Sequence, residues 1–261
     1  MSAIWNTILV NPLLNILVFF YVITGSNMGV AIILLTVVIR SLLIPVVLPS
    51  IKNMQKQRDL QPEIEKLKKK FKNDKQKVAQ AQMELFKKHG LNPASGCVTQ
   101  IAMVVVLIAL YNVIRRFSGE IDLEAINNLI YFVSLKFAEN ATVNTSFLYM
   151  DLAIPDPYYV LPVLAGIFQF FASKMMQPYV EKGGKAAKKT PDRKDDLAYN
   201  MQEQMLYLMP IMTVIISIKL PAGASLYLLV TTLFSMIQQY FVSGLGGLKP
   251  WITKILPTAQ K

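Results

Sequence analysis

Residues 28–48 form the run MGVAIILLTVVIRSLLIPVVL, whose apolar character is interrupted by Thr36, Arg40, Ser41 and Pro45. A helix that rises 1.5 Å per residue needs about 20 residues to cross a hydrocarbon core of about 30 Å. The run therefore predicts a membrane span. It also places an arginine within that span, where a charged side chain is costly and usually functional.

Apolar runs of similar length recur along the chain. Hydrophobic residues make up 53% of the 261 positions and charged residues only 16%, which excludes a disordered chain and is unusual for a soluble domain. We therefore predict an all-α integral membrane protein with five transmembrane helices. The predicted spans are residues 28–51, 93–117, 158–180, 203–220 and 221–243.

The first 27 residues contain a further apolar run from Ile8 to Ile23. Pro12 interrupts this run, and only four residues separate it from the first span, so a second crossing would require a tight turn. We predict that 1–27 is an interfacial amphipathic helix with Trp5 as an anchor at the membrane boundary. Residues 1–7 contain no Lys or Arg, which argues against a cleaved signal peptide.

The net charge of +11 is distributed unevenly among the connecting segments. Residues 52–92, the lysine-rich segment, hold twelve Lys and Arg against five Asp and Glu. Residues 181–202 hold six against four, and the tail 244–261 holds three against none. Residues 118–157, the acidic segment, hold one against six. The positive-inside rule then places the acidic segment outside and the other three in the cytoplasm, with the N-terminus out and the C-terminus in.

The lysine-rich segment has its own helical pattern. Apolar residues recur at Leu60, Ile64, Leu67 and Phe71, and the pattern is interrupted at 73–74. It predicts two amphipathic helices in a cytoplasmic hairpin. Charge alone does not separate a solvated hairpin from a docking arm for lipid headgroups or ribosomal RNA. The candidate docking residues are Lys66, Lys68, Lys69, Lys70 and Lys72.

Polar side chains within the spans are spaced by one helical turn, as Thr36 and Arg40 are. Each such stripe alone is typical of helix packing, but together with an arginine they predict the walls of a hydrophilic groove. The apolar runs contain no carboxylate that would neutralise Arg40, so we expect an exposed positive charge that attracts an acidic group. The candidate groove residues are Arg40, Thr36, Gln100, Gln169, Ser173, Thr231 and Ser235.

Catalytic chemistry is not indicated by the sequence. The chain has one Cys and one His, and it lacks HExxH, GxSxG and any carboxylate pair within the spans. We therefore predict no enzyme activity, no catalytic residue, no cofactor, no metal site and no DNA partner. A small secondary transporter or channel for an anionic solute, with Arg40 as the anion site, is the alternative function. The absence of an inverted repeat and the odd number of spans argue against it.

Several strings, in this order and spacing, resemble the YidC/Oxa family of membrane protein insertases in its short form without a large outer domain. They are TVVIR at 36–40 followed by Pro45, NPASGCVTQ at 92–100, Met209-Pro210, and PAGASLY at 221–227 followed by Gln238.

The resemblance implies a groove that is closed on the outer side and open to the cytoplasm and the lipid. The arginine that matches Arg40 would attract acidic residues in a substrate's polar tail, and Gln169 falls at a groove position. The hairpin would receive substrate or ribosome. The implied partners are nascent membrane proteins, the lipid bilayer, the ribosome and the Sec translocon, and the implied location is the plasma membrane of a bacterium, as a multi-pass protein. Leu228, where the family commonly has Trp, and the short tail 244–261 depart from the pattern.

Overall fold

The computed structural model describes residues 2–71, 74–92, 95–139, 141–176, 197–249 and 251. Among these, the side chains at 2, 58, 61, 65, 68, 75, 95–100 and 197–205 are not described. The chain divides into two compact units. The first unit comprises Met1–Ile44, Gln100–Phe168 and Ile211–Phe234, and the second comprises Pro45–Thr99, Gln169–Pro210 and Ser235–Lys261.

The described chain is mostly helical, which confirms the predicted class at that level. The α-helices are, in chain order, α1 Ser2–Trp5, α2 Asn11–Ile23, α3 Met28–Leu42, α4 Ile44–Asp59, α5 Gln61–Lys70, α6 Lys75–Lys88, α7 Ser95–Arg115, α8 Leu123–Asn127, α9 Val160–Met176, α10 Leu197–Lys219 and α11 Ala222–Ser243. A π-helical turn, Asn6–Val10, joins α1 to α2 into one continuous N-terminal helix. The sequence analysis did not predict the antiparallel pair β1 (Ser146–Phe147) and β2 (Met150–Asp151).

Two helices within the described residues, Ala3–Ile23 and Ala222–Ser243, are long and apolar enough to cross a membrane. A third candidate is the pair α3 and α4, which is broken at Leu43. Pro45 explains this break, because its ring clashes with the carbonyl four residues earlier and is tolerated only in a first helical turn. The remaining apolar helices, Ile101–Arg115, Val160–Met176 and Leu206–Lys219, are shorter, so five spans stay a prediction.

The N-terminal helix and α3 pack together through a tight turn in the first unit. Gly25, with φ of +69°, occupies the left-handed conformation that the turn requires, and the Asn27 side chain caps α3 by accepting a bond from the Val30 amide at 3.0 Å. Apolar side chains spaced by three and four residues fill the contact. They are Leu13, Leu14, Leu17, Val18 and Tyr21 on α2 and Met28, Ala31, Ile32 and Leu35 on α3.

The acidic segment is bonded to the N-terminal helix at two levels. The buried Asn15 amide donates to the Leu129 carbonyl at 2.9 Å and accepts from the Tyr131 amide at 2.7 Å. Near the other end of α2, the Tyr21 hydroxyl accepts from the Asn144 amide at 2.7 Å. These bonds hold the acidic segment along the side of the N-terminal helix.

The acidic segment also caps α11. The first amides of a helix have no partner within it. Here the Ala222 amide donates to the Ile154 carbonyl at 2.7 Å and the Gly223 amide donates to the Leu152 carbonyl at 2.9 Å. A Cβ on Gly223 would lie 3.1 Å from that Leu152 oxygen and 3.0 Å from Ile32, so the close approach explains the glycine.

Asp156 fixes the start of α9. Its carboxylate is 2% exposed and accepts bonds from the Leu161 amide at 2.7 Å, the Tyr158 amide at 3.0 Å and the Tyr149 hydroxyl at 3.0 Å. Desolvation, together with the bond to Asp156, raises the pKa of Tyr149 to about 12.

In the second unit, α5 and α6 pack through a small apolar cluster of Leu60, Ile64, Phe86 and Leu91. The Asp74 carboxylate caps α6 by accepting a bond from the Lys77 amide at 3.0 Å, and this bond lowers the pKa of Asp74. The lysine-rich segment thus contains the pair α5 and α6, and its first residues belong to the end of α4.

Candidate functional site

Arg40 lies in the last turn of α3, although the apolar run continues beyond it. The break at Leu43 ends the helix there, so the guanidinium is close to the partial negative charge of a helix C-terminus, which favours a cation. Thr36 and Arg40 are buried, whereas Val37 and Val38 are exposed. The helix therefore turns its polar stripe toward the protein interior.

The Arg40 side chain is 3% exposed and rests against α11 within the first unit. Its Nη2 atom donates a hydrogen bond to the Thr231 carbonyl at 2.9 Å, and its Cζ atom lies 5.8 Å from the centroid of the Phe234 ring. A backbone carbonyl has two lone pairs, so Thr231 can accept this bond in addition to its helical one. Both groups are neutral, and they orient the guanidinium toward α11.

The sequence predicts an exposed positive charge at Arg40, but in the structure the side chain is covered. The physical reason is that a guanidinium can be buried where hydrogen-bond acceptors compensate for lost water. Composition identifies the charge but contains no information about which carbonyl of a distant helix will meet it.

Three further buried side chains belong to this part of the site. The Thr36 hydroxyl donates to the Ile32 carbonyl at 2.7 Å, and Thr231 is 4% exposed. Tyr227, one turn before Thr231 on α11, is 2% exposed and lies near Arg40. The sequence analysis quoted Tyr227 within a family string but assigned it no role; its spacing of four from Thr231 was the available signal.

The remaining groove candidates lie on α7, α9 and the second half of α11. Gln169 and Ser173 are half-buried on α9 and Ser235 is half-buried on α11, all in the second unit. Gln100 is on α7, and its side chain lies outside the described residues. The joint groove of these residues with Arg40 stays a prediction.

The docking candidates of the lysine-rich segment are on or next to α5. Lys66, Lys69 and Lys70 are exposed to solvent. The side chain of Lys68 and the whole of Lys72 lie outside the described residues. The exposed lysines place positive charge on the surface of α5, and their role in docking stays a prediction.

An aromatic cluster in the second unit was missed by the sequence analysis. The Phe170 ring lies 6.0 Å from Tyr207 and 6.2 Å from Trp251, and the Lys174 ammonium is 5.7 Å from the Trp251 ring. These contacts attach the start of the tail to α9 and α10. The residues come from three distant stretches of sequence, so no local pattern predicts their meeting.

No group of three or more His, Cys, Asp or Glu that could hold a metal ion occurs among the residues covered by the structure.

The chain is similar in sequence to a known family of membrane proteins. The family model described as 60Kd inner membrane protein matches residues 19–246. The membrane protein insertase YidC of Fusobacterium nucleatum subsp. nucleatum is 36% identical over 222 residues, which cover 85% of this chain and 89% of that protein. The membrane protein insertase MisCA of Bacillus subtilis (strain 168) is 32% identical over 249 residues, which cover 92% of this chain and 79% of that protein.

The fold also resembles that of a solved structure, an active YidC insertase with its first transmembrane domain resolved. The TM-score is 0.54 at 22% sequence identity, and the match covers 85% of this chain and 43% of that one. At this identity the likeness is one of fold.

Proposed function

The chain belongs to the 60Kd inner membrane protein family, so the resemblance to YidC/Oxa is confirmed, and from that premise we propose that it is a membrane protein insertase and chaperone. It moves short polar tails of nascent membrane proteins across the bilayer through a hydrophilic groove, and it releases the apolar segments into the lipid. Arg40 supplies the positive charge of that groove, and no covalent step is involved.

The observation that carries the proposal is the placement of Arg40. The guanidinium is buried between α3 and α11 and is held by a carbonyl and an aromatic ring. In a low-dielectric surrounding, a charge acts more strongly on an approaching carboxylate than it would in water. An acidic residue in a substrate tail can thus exchange for the Thr231 carbonyl and form a charge-assisted bond.

Exposed apolar faces support five membrane-crossing segments. Large hydrophobic side chains are exposed on the shorter helices as well as the longer ones, a pattern that is unusual in soluble proteins and expected where lipid is the solvent. They include Val37, Val38 and Leu42 on α3, Ile101, Val104 and Ile108 on α7, Val163 and Ile167 on α9, Ile211, Ile215 and Ile216 on α10, and Ile237 and Phe241 on α11.

The contacts of the N-terminal helix support an interfacial position for it. Its middle and its end are bonded to the acidic segment through Asn15 and Tyr21. A helix that crossed the bilayer would reach a segment confined to one membrane surface at only one of its ends. Orientation, with the acidic segment outside, follows from the charge distribution.

The lysine-rich segment, the bilayer and further partners complete the proposal. The exposed Lys66, Lys69 and Lys70 on α5 make a surface suited to a negatively charged partner, for which the substrate chain, lipid headgroups and the ribosome are the candidates. We place the protein in the bacterial plasma membrane, beside the Sec translocon for those substrates that use both.

Insertion by purified protein in liposomes tests the proposal. Two substrates are compared, one with an acidic tail and one whose Asp and Glu are replaced by Asn and Gln. A charge-assisted hydrogen bond contributes about 1.5–3 kcal/mol, so we expect Arg40→Ala to slow insertion of the acidic substrate by about tenfold or more. The neutral substrate should be affected far less, and Arg40→Lys should largely preserve insertion of both.

Wild-type insertion of the acidic substrate by Arg40→Ala would disprove this role of Arg40. The same liposomes, assayed for uptake of a small anion, test the alternative of a transporter or channel. Anion uptake that depends on Arg40, without insertion, would replace the proposed function.

A further inference from the structure

We infer that a cavity in the first unit, lined by Trp5, Asn6, Asn112, Arg115 and Arg116, binds the phosphate of an anionic phospholipid. The cavity is open to the surroundings and has a volume of about 480 Å³. Binding pockets for small molecules range over about 300–1,000 Å³, so this size accommodates a glycerophosphate headgroup. Placing the cavity in the outer leaflet rests on the orientation proposed above.

Two elements build the cavity walls. The N-terminal helix supplies Trp5 and Asn6, the end of α7 supplies Asn112 and Arg115, and Arg116 follows directly after α7. Asn112 precedes Arg115 by three residues, so these two side chains lie on one side of α7. The cavity thus forms where the first helix of the chain meets the last turn of α7.

The lining is strongly basic. Two guanidinium groups face the cavity, and none of its lining residues is acidic. Within the part of the chain that the structure describes, neither Arg115 nor Arg116 forms an ion pair with a carboxylate. Arg115 is exposed, and its Cζ atom lies 5.8 Å from the centroid of the Tyr111 ring. Arg116 is half-buried.

The polar groups of the cavity match a phosphodiester. Guanidinium groups bind phosphate oxygens in a planar, two-pronged geometry, and carboxamides and the indole N–H can donate further hydrogen bonds. A monoanionic phosphate between two arginines would leave a net positive charge, so a headgroup with no cation of its own is preferred over a zwitterionic one.

The surroundings identify the source of the phosphate as a lipid. Ile4 and Ile8, on the same helix as Trp5, are 66% and 65% exposed, and Ile108, one turn before Asn112, is 47% exposed. Apolar side chains beside a polar, tryptophan-bearing site are typical of the boundary between headgroups and acyl chains. A soluble phosphate would gain nothing from these faces, whereas an acyl chain can cover them.

The inference also accounts for a departure from the charge bias. Arg115 and Arg116 directly precede the acidic segment, on the side that the positive-inside rule assigns to the outside. Anionic lipid at this position would offset part of their charge.

Tryptophan fluorescence can test the cavity in isolation, because the chain has two Trp residues. In a Trp251→Phe protein, Trp5 alone reports quenching by brominated lipids in vesicles. We expect brominated phosphatidylglycerol in a phosphatidylcholine background to associate with Trp5 about tenfold more strongly than brominated phosphatidylcholine does, given two arginines near the headgroup.

Matched variants separate the cavity from net charge. Arg115→Gln with Arg116→Gln should abolish the preference, and Arg115→Lys with Arg116→Lys should retain most of it. Lys136→Gln with Lys219→Gln removes the same net charge from exposed positions outside the cavity and should leave the preference intact.

Equal quenching by the two lipids in the Trp251→Phe protein overturns the inference, and so does loss of the preference in the Lys136/Lys219 control. Release of the lipid by millimolar glycerol 1-phosphate would also overturn it, in favour of a soluble phosphate as ligand. None of these readouts measures insertion, so their failure is distinct from that of the proposed function, which the Arg40 variants decide.

Discussion

The acidic segment and the lysine-rich segment have nearly the same length but are held by different forces. The acidic segment is tied to the N-terminal helix, α9 and α11 by hydrogen bonds from buried polar groups to backbone atoms. The lysine-rich segment pairs α5 with α6 through four apolar side chains and presents its charges to water. The acidic segment is therefore a fixed cap on α11, which we call the cap. The lysine-rich segment is a helical pair stabilised by its own apolar cluster, which we call the arm.

Two aspartates, one in each segment, show the same difference in how the segments are held. Asp156 and Asp74 both accept amide bonds at the start of a helix. Asp156 is buried and serves three donors, whereas Asp74 is partly exposed and caps a helix whose amides water can also reach. The two aspartates have the same local role, but we expect them to contribute very differently to the free energy of unfolding.

The largest expected effect comes from Asp156→Ala. It removes the acceptor of the Leu161 and Tyr158 amides, and an unsatisfied buried polar group costs about 1–3 kcal/mol, so we expect the free energy of unfolding to fall by about 3 kcal/mol. Chemical denaturation in detergent micelles measures it. Asp74→Ala is the matched control and should leave global unfolding unchanged; a similar loss in both variants would refute the comparison.

Ile64→Ala probes the arm and should act locally. Ile64 is 3% exposed in a cluster of four residues, and truncation of a buried Ile costs about 2 kcal/mol at the low end of the usual range. We expect amide hydrogen exchange in α5 and α6 to accelerate by about 30-fold, as 1.36 kcal/mol corresponds to a factor of ten. Lys66→Ala, at an exposed site on the same helix, is the control. Equal acceleration at the Leu152 and Leu161 amides would show that cap and arm open together.

The smallest effect concerns pH and the cap alone. The pKa of Tyr149 rises from 10.0 to about 12 in the folded protein, so folding favours the neutral phenol. Its contribution to stability is therefore complete below pH 10 and is lost between pH 10 and about 12. The difference in tyrosinate absorbance between wild type and Tyr149→Phe isolates this titration from those of the other tyrosines. A midpoint near 10 would contradict both the desolvation of Tyr149 and its bond to Asp156.

Much of the helical content was accessible from local signals. The apolar runs predicted helices where α3, α7, α9, α10 and α11 occur, because hydrophobic periodicity and helix length depend only on neighbouring residues. The break at Leu43 was not predicted, although Pro45 was quoted as an interruption. The strand pair β1–β2 was also missed, since two-residue strands have no recognisable period.

The candidate site also contains some residues that local signals predict and others that only packing brings in. Arg40 and Thr36 were found from a charge and a spacing within one helix, and the family strings placed them in a known context. The Thr231 carbonyl, the Phe234 ring and Tyr227 became part of the site only through the packing of α11 on α3. Backbone carbonyls are present at every position, so the sequence does not distinguish the one that binds the guanidinium.

The sequence by itself determined that this is a helical membrane protein of the 60Kd inner membrane protein family, with a cation in an apolar run and an uneven distribution of charge. Those properties follow from composition and short-range spacing. Only the tertiary structure decided that Arg40 is covered by α11, that Asp156 is buried, and that Trp5 meets Arg115 and Arg116 in one cavity. These outcomes depend on which distant surfaces pack together, and packing is a property of the whole chain.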